Sequence, residues 1–521
     1  MLVAARRPLG CALLGLAVGC AHRDLAAPEV SAHRILPPPG AAAQAVPEVL
    51  VLPPEPPREE NKPGEAEKTA EPAAPAAGAA PGTLAQDGVP CQPLALPDAV
   101  ALAFRLQPRL RASLESIAQA RGREDIAFAA FLPALTSAYS VGGFNMNAGG
   151  AGIPLPNSPP FNFIPFTGAV PVGLDIRTGY ELAELKLQWL VCDFGRRLGR
   201  YNQAGLAVDI AQLQTQRAYQ TVASDVAVAY YQVLRARSLH RIADEAVRRA
   251  ADDLDVAKKL AKRGVIEREK VLRAQVALSQ AQRALDVAEE AEGIAVAALN
   301  LAIGLNASAP TGVVDTTDVP PFPLGLAECL QAAVGGRREL QVARQSVQVA
   351  EQGRRVAHAD FAPRIVADGD FLDYQQSNPR GHFDLPFAAI KLEWGLFEGG
   401  KRVAELRVAD SQIREAAAQA DSIADTIAFQ VNQAYRQLVA ARKGIERARP
   451  AVEQTQETYR LVVARAKQGE AIPAEVTDAE AALTRAAQDY SNAVYDYQTA
   501  LARLEYAMGT APTPATVAPH P

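Results

Sequence analysis

The sequence predicts a mainly α-helical fold with a small β part, written as an internal two-fold repeat, and three observations carry that prediction. The first is the repeat: an offset of 205 residues sets Trp189 against Trp394, Gly195 against Gly400, Tyr230 against Tyr435, Gly264 against Gly469 and Gly304 against Gly509 without a gap. The second is reach. Each copy holds a helical stretch bounded by glycines, 195–263 in the first, of 69 residues, which would run about 100 Å at 1.5 Å per residue. The third is a change of period beside each long helix. Leu185, Leu187 and Trp189 alternate with Glu184, Lys186 and Gln188, and Ile390, Leu392 and Trp394 alternate with Lys391 and Glu393, the pattern of a two-faced strand. A unit of strand, turn, long helix, turn and returning helix, used twice, is a pair of helical hairpins.

Composition narrows the class. The 521 residues include only 15 Phe, 13 Tyr and 2 Trp, while alanine fills the helical stretches, which suits extended helix-on-helix packing in which small side chains let backbones approach. A net charge of −5 leaves no basic footprint for nucleic acid. The five cysteines (Cys11, Cys20, Cys91, Cys192, Cys329) have no metal-ligand or disulfide spacing, and the six histidines (His22, His33, His240, His358, His382, His520) do not cluster. The one enzyme-like motif, Gly395 to Lys401, fits G-x-x-x-x-G-K, but Arg402 replaces the magnesium-binding Ser/Thr and the first copy, Cys192 to Arg197, lacks the pattern. The sequence therefore predicts neither an enzyme nor a bound cofactor or metal. No interior run is long and apolar enough for a membrane-spanning helix, so strands would have to do any crossing.

In chain order, residues 1–19 read as a signal peptide, with Arg6 and Arg7 before the apolar run Leu9 to Val18. Leu16-Ala17-Val18-Gly19-Cys20 resembles a bacterial lipobox, which implies lipidation at Cys20 and, with Ala21 next, sorting to the outer membrane; an ordinary signal peptide with a chance cysteine is the competing reading. Residues 20–93, rich in Pro, Ala and Glu and free of aromatics from Ala21 onward, read as a disordered or polyproline-like tether. Repeat 1 spans 94–304, with helices over 96–131, strands over about 134–191 around a long loop 142–173, and a hairpin 195–304. Pro108 suits the first position of its second helix. Residues 305–325 form a proline-rich connector. Repeat 2 spans 326–509, with helices over 326–361, strands over about 364–396 and a hairpin 400–509; a short disordered tail, 510–521, follows. An offset of 230 pairs Leu96 with Leu326, Leu110 with Leu340 and Pro133 with Pro363, so the first copy carries 25 extra residues before Trp189, which the loop absorbs.

The returning helix 267–303 and the helix 108–131 together nearly match the long helix in length, so stacked end to end they can lie beside it, and the second copy repeats this. Four helical columns per chain make a tube. Pro450 is expected to kink or break the second long helix. Four candidate strands (near 134–145, 178–191, 364–373 and 385–396) are too few to close a barrel, for which about eight is the practical minimum, so several chains must contribute. In a barrel, Leu187, Trp189, Leu392 and Trp394 would face lipid, and Glu184, Lys186, Gln188, Lys391 and Glu393 the lumen; a surface strand of a soluble sheet is the alternative.

The amphipathic openings Leu96 to Ala103 and Leu326 to Leu330, the helix ends at Pro133 and Pro363, the turns Cys192 to Arg197 and Leu396 to Arg402, and the tip glycines Gly264 and Gly469 together resemble the TolC family of outer-membrane factors over residues 94–510. The resemblance implies a homotrimer whose four strands per chain close a 12-stranded transmembrane β-barrel, continuous with a long 12-helix α-barrel. It implies an exit duct for efflux or type I secretion, set in outer-membrane lipid, that docks a periplasmic adaptor protein and an inner-membrane transporter. It places pore selectivity and gating at Glu475 and Asp478, where the first copy has Lys270 and Arg273, and adaptor docking at the tips, Gly264, Val265, Ile266, Gly469 and Glu470. Ala466 and Ala471 stand where some family members carry the aromatic and arginine links between helices, so a closed-state lock must be built differently. A periplasmic coiled-coil lipoprotein, scaffold or adaptor without a pore, is the alternative function.

Overall fold

A computed structural model describes residues 93–148, 174–264, 266–316, 319–377, 380–468 and 470–511. The expected signal peptide, Cys20, nearly all of the tether, loop residues 149–173, tip residues Val265 and Gly469 and tail residues 512–521 lie outside the described residues.

Each copy opens with two helices, α1 (Leu96–Leu106) and α2 (Pro108–Ala129), then α5 (Leu326–Gly336) and α6 (Arg338–Ala359). Strands follow, β1 (Ala134–Ala148) and β2 (Leu174–Cys192), then β3 (Arg364–Ser377) and β4 (Arg380–Glu393). A long helix and a returning one complete each copy, α3 (Arg196–Lys262) and α4 (Arg268–Ile303), then α7 (Lys401–Lys467) and α8 (Pro473–Met508). Both long helices start on a glycine in the left-handed region, Gly195 at φ 102° and Gly400 at φ 83°, a conformation a side chain would strain. Among the described residues no helix is long and apolar enough to cross a membrane.

The stacking expected from helix lengths is what the packing shows. α3 runs beside both α4 and α2, α7 runs beside both α8 and α6, and α3 also packs on α6 and α8, which joins the two copies. Where α4 ends and α2 begins, the Gln107 amide donates to the carbonyls of Leu301 (3.2 Å) and Ala302 (2.7 Å), taking up two carbonyls that the helix end leaves without partners. At the matching joint between α8 and α6 the backbones of Gly509 and Gly336 meet, and a Cβ on Gly509 would fall 2.5 Å from the Gly336 carbonyl carbon.

Two repeat-related cores sit at these joints. One gathers Leu110, Val226, Tyr230, Val233, Leu234, Leu299 and Ile303; the other gathers Leu340, Ile427, Val431, Leu438, Tyr497 and Leu504. Tyr230, 1% exposed, donates its hydroxyl to the Val314 carbonyl at 2.7 Å, which pins the connector to α3 and satisfies a buried phenol.

Three expectations need correction. Residues 142–148 belong to β1, not to the loop: Gly142 pairs with Tyr180 and Ala148 with Leu174, because a ladder of main-chain hydrogen bonds carries a strand through glycines that read locally as loop. β4 spans Arg380–Glu393, earlier than the expected 385–396, and Trp394 follows it. Helix α7 runs unbroken through Pro450, so of the two outcomes expected there the break does not occur. Pro450 is exposed, as is Glu446, whose carbonyl loses its helical partner, so water can take the bond that proline removes.

Candidate functional site

The four strands form one antiparallel sheet in the order β1-β2-β3-β4, and its register sorts side chains into two faces. Leu187 lies opposite Leu135 and Gly369, Trp189 opposite Ala367, and Ala367 opposite Ile390, while Ile365 lies opposite Leu392. These side chains share one face because residues directly opposite in a ladder do. The other face carries Glu184, Lys186 and Gln188, the last two opposite Asp370 and Asp368, and also Lys391 and Glu393.

The apolar face is open, with Ile390 79% and Leu392 65% exposed. On the polar face Lys391 pairs with Asp368 at 2.6 Å and Arg364 with Glu393 at 3.4 Å. Arg364, Asp368 and Asp370 thus join the five polar residues expected there; their own alternation with Ile365, Ala367 and Gly369 was the signal that could have found them.

Farther along the strands the polarity exchanges sides. Beyond Phe371 and Pro386 the apolar face turns polar: Tyr139 donates to Glu181 at 2.9 Å, and Asp373 lies opposite Asp384. The other face turns aromatic, with Tyr180 stacked on Tyr374 at 6.0 Å between centroids and Tyr374 on Phe383 at 5.1 Å. His382 stands 3.3 Å from Asp373 through Nδ1 and 3.3 Å from Asp384 through Nε2. Sequence spacing does not reveal this trio, the one group among the described residues with the donor set for a metal ion. Each ring nitrogen faces its own carboxylate across β3 and β4, but Asp373 Oδ1 makes no hydrogen bond.

The sheet joins the helices through repeated fixtures. The indole N–H of Trp189 donates to the Phe131 carbonyl at 3.0 Å, and that of Trp394 to the Phe361 carbonyl at 3.1 Å. In the first turn, Arg197 pairs with Asp193 at 3.2 Å, donates to the carbonyls of Ala130 (3.2 Å) and Val191 (3.1 Å) and lies over the Phe131 ring. In the second, Arg402 pairs with Glu398 at 2.9 Å. Arg196 also pairs with Asp360, tying the two copies together.

At the opposite end of the helices are the hairpin tips. Gly264 is left-handed at φ 74°, Ile266 is half-buried and Glu470 exposed. Pro473 starts α8 and Glu475 lies in its first turn, where a carboxylate favours the positive end of the helix dipole. Glu475 is half-exposed and sits 3.7 Å from Arg465 across the hairpin; Asp478 is exposed. In the first copy, Arg273 pairs with Glu269 along its own helix.

Between tips and joints, α3 meets α8 through a polar ladder. Arg235 reaches Asn492 (2.8 Å) and Asp496 (3.0 Å), Ser491 donates to Ser238 (2.9 Å), and Arg249 donates to Thr484 (3.3 Å). The rung nearest the tips is looser, with Arg249 3.6 Å from Glu480, a residue 8% exposed.

A family model described as "Outer membrane efflux protein" matches residues 100–305 and 329–510. The chain is 30% identical over 182 residues to protein CyaE of Bordetella pertussis, covering 34% of this chain and 38% of that one. It is 28% identical over 197 residues to the alkaline protease secretion protein AprF of Pseudomonas aeruginosa, covering 36% and 40%. The matches thus span about two-fifths of the length of these relatives. Among solved structures, CusC superposes with a TM-score of 0.66 at 17% identity over 80% of this chain and 92% of that chain. The outer membrane protein VceC of Vibrio cholerae gives 0.64 at 18% identity over 80% and 96%. These structures share the fold.

Proposed function

Because the chain belongs to the outer membrane efflux protein family, we propose that it is one third of a passive trimeric duct that carries solutes or unfolded proteins out across the outer membrane. The observation that carries this reading is a sheet whose half nearest the helices has one apolar and one polar face and whose edges, β1 and β4, are unpaired among the described residues, continuing into two 67-residue helices. Four strands cannot close on themselves, and twelve from three chains can. The open edges then pair, the apolar face with Leu187, Trp189, Leu392 and Trp394 meets lipid, and Glu184, Lys186, Gln188, Lys391 and Glu393 line water. Energy for transport comes from an inner-membrane transporter, reached through a periplasmic adaptor that docks on the tips around Gly264, Val265, Ile266, Gly469 and Glu470. Lipidation at Cys20 would anchor each chain to the same membrane.

The experiment is a mass measurement on the detergent-solubilised protein together with negative-stain imaging. Three chains in a particle with a long hollow stalk are expected; a monomer, or a solid rod released from membranes by carbonate, would return the reading to a scaffold.

We assign the narrow end of the duct to two rings of three carboxylates, Glu475 and Asp478, one turn apart on α8. Such rings favour cations. In planar bilayers under a salt gradient, the double variant Glu475→Ala with Asp478→Ala is expected to lose at least half of the cation preference in reversal potential, and an unmoved reversal potential rejects the assignment. The Arg465 partner of Glu475 gives a second handle: Arg465→Ala should sharpen cation preference, since it removes a positive charge 3.7 Å from the ring.

A further inference from the structure

The α3–α8 ladder joins the two hairpins of one chain, and its rungs are unequal. Toward the joints, the partners meet at 2.8 to 3.0 Å. Nearest the tips, one guanidinium is shared among too many acids. Arg249 lies 3.6 Å from Glu480 and 3.7 Å from Glu245, and its Nε is buried without a hydrogen bond, as is Asp253 Oδ2. Among the described residues, the titratable groups that act on this spot are Arg249, Glu245, Asp252 and Asp253 from α3, Glu480 from α8, and the neutral Tyr459 phenol from α7. One cation thus faces a buried carboxylate, Glu480, and a half-buried one, Asp253, whose Oδ2 is shielded from solvent, one on each hairpin, plus two more acids at the margin. Burying an incompletely paired charge is costly, so the α3–α8 contact is tightest when one of those carboxyls carries a proton.

We propose that Arg249, Asp253 and Glu480 form a proton-operated latch between the two hairpins, closed when the acid pair holds a proton and released when it loses it. The proton neutralises one of the two carboxyls, Glu480 or Asp253, which act on each other through charge, and leaves Arg249 to pair with the charge that remains. Loss of the proton puts two like charges in a site of low polarity, and moving α8 away from α3 lets water reach both. The latch sits some two turns inside the tip on α8, so its release frees the end of the duct that carries Glu475 and Asp478. Its role in gating rests on the duct reading above.

The sign follows from burial. Burial first, then Asp253, raises the Glu480 carboxyl from 4.5 to about 7, against the pull of Arg249. Burial and Asp252 raise Asp253 as well. A carboxyl that binds its proton more tightly in the closed state stabilises that state fully at acid pH, and the stabilisation is lost as pH climbs through about 7. The closed-to-open ratio should therefore fall on the order of a hundredfold between about pH 4.5 and pH 7.5.

Two readouts test this on the full-length protein. Single-channel recording should show open probability rising with pH across that window in the native protein. Glu480→Gln, which keeps a neutral hydrogen-bonding group, should hold the closed fraction at its acid value throughout, and Asp253→Asn should flatten the response likewise. Hydrogen exchange of residues 473–484 in detergent, corrected for the intrinsic pH dependence of exchange, needs no pore: protection should drop with rising pH in the native protein and stay constant in Glu480→Gln. Channels whose opening and α8 protection ignore pH, or respond identically in Glu480→Gln, overturn the latch while leaving the duct intact. Protection that moves with pH in a protein giving no channels keeps the latch and removes the duct.

Discussion

Replacing Gly509 with valine is expected to abolish the folded particle. Gly509 sits at φ 75°, in the left-handed region, and a Cβ there would lie 2.5 Å from the Gly336 carbonyl carbon and 2.8 Å from the Arg337 nitrogen. Both contacts are to backbone, which cannot swing aside as a flexible side chain can. The left-handed conformation alone costs a branched residue about 1–3 kcal/mol, and separating the α8 and α6 backbones would undo the core around Leu340 and Leu504 as well. A total above about 4 kcal/mol is a large part of the stability of an ordinary domain. Gly264 is the control: its φ of 74° is nearly the same, but among the described residues nothing lies within 4 Å of its Cβ position, so Gly264→Ala should cost only about 1 kcal/mol. Thermal melting of purified protein separates the two effects. Equal losses would mean that the close approach at the joint contributes nothing.

Asp193→Ala should be nearly as damaging, by about 3–5 kcal/mol, because it leaves a buried guanidinium without its counter-charge. The Arg197 side chain is 9% exposed and that of Asp193 5% exposed. Arg197 keeps its two carbonyl acceptors, Ala130 and Val191, but two neutral acceptors do not offset the positive charge. The double variant Asp193→Ala with Arg197→Met should recover much of the loss, since the methionine can lie on the Phe131 ring where the guanidinium lay. Chemical denaturation of the three proteins checks the pair; a double variant no more stable than Asp193→Ala would show that Arg197 acts through its hydrogen bonds alone.

The helical part of this fold was legible because its signals are local. Gly195, Gly304, Gly400 and Gly509 mark helix ends by a backbone need that only glycine meets cheaply, and helix length follows from the distance between them. Even the end-to-end stacking of α4 on α2 could be read from matching lengths. Strand extents were not legible, because a strand is fixed by its partner. Gly142 and Gly143 look like loop until residues 179 and 180 arrive to pair with them.

The tips divide in the same way. Glu475 and Asp478 were pointed to by the family resemblance, counted from the tip glycine, and both belong to one element, so no long-range register was needed to propose them. Arg249, Asp253 and Glu480 could not be found in that way, since no periodicity links α3 to α8 across more than two hundred residues. The trio Asp373, His382 and Asp384 was hidden because two of its members share β4 and the third is placed by the register of β3 on β4, and Lys391 meets Asp368 through that same register.

Trp189 and Trp394, at the strand ends next to the helices, each bolt the sheet to the carbonyl at the end of the preceding helix, so the long helices are clamped at the sheet and the two copies are tied farther out by the α3–α8 ladder. Over a helix of about 100 Å, one degree of rotation at the clamp displaces the far end by about 1.7 Å. In the proposed duct, a few degrees would be enough to change the aperture at the tips, and stiffness at the indole bolts would set how much force a docked partner must apply.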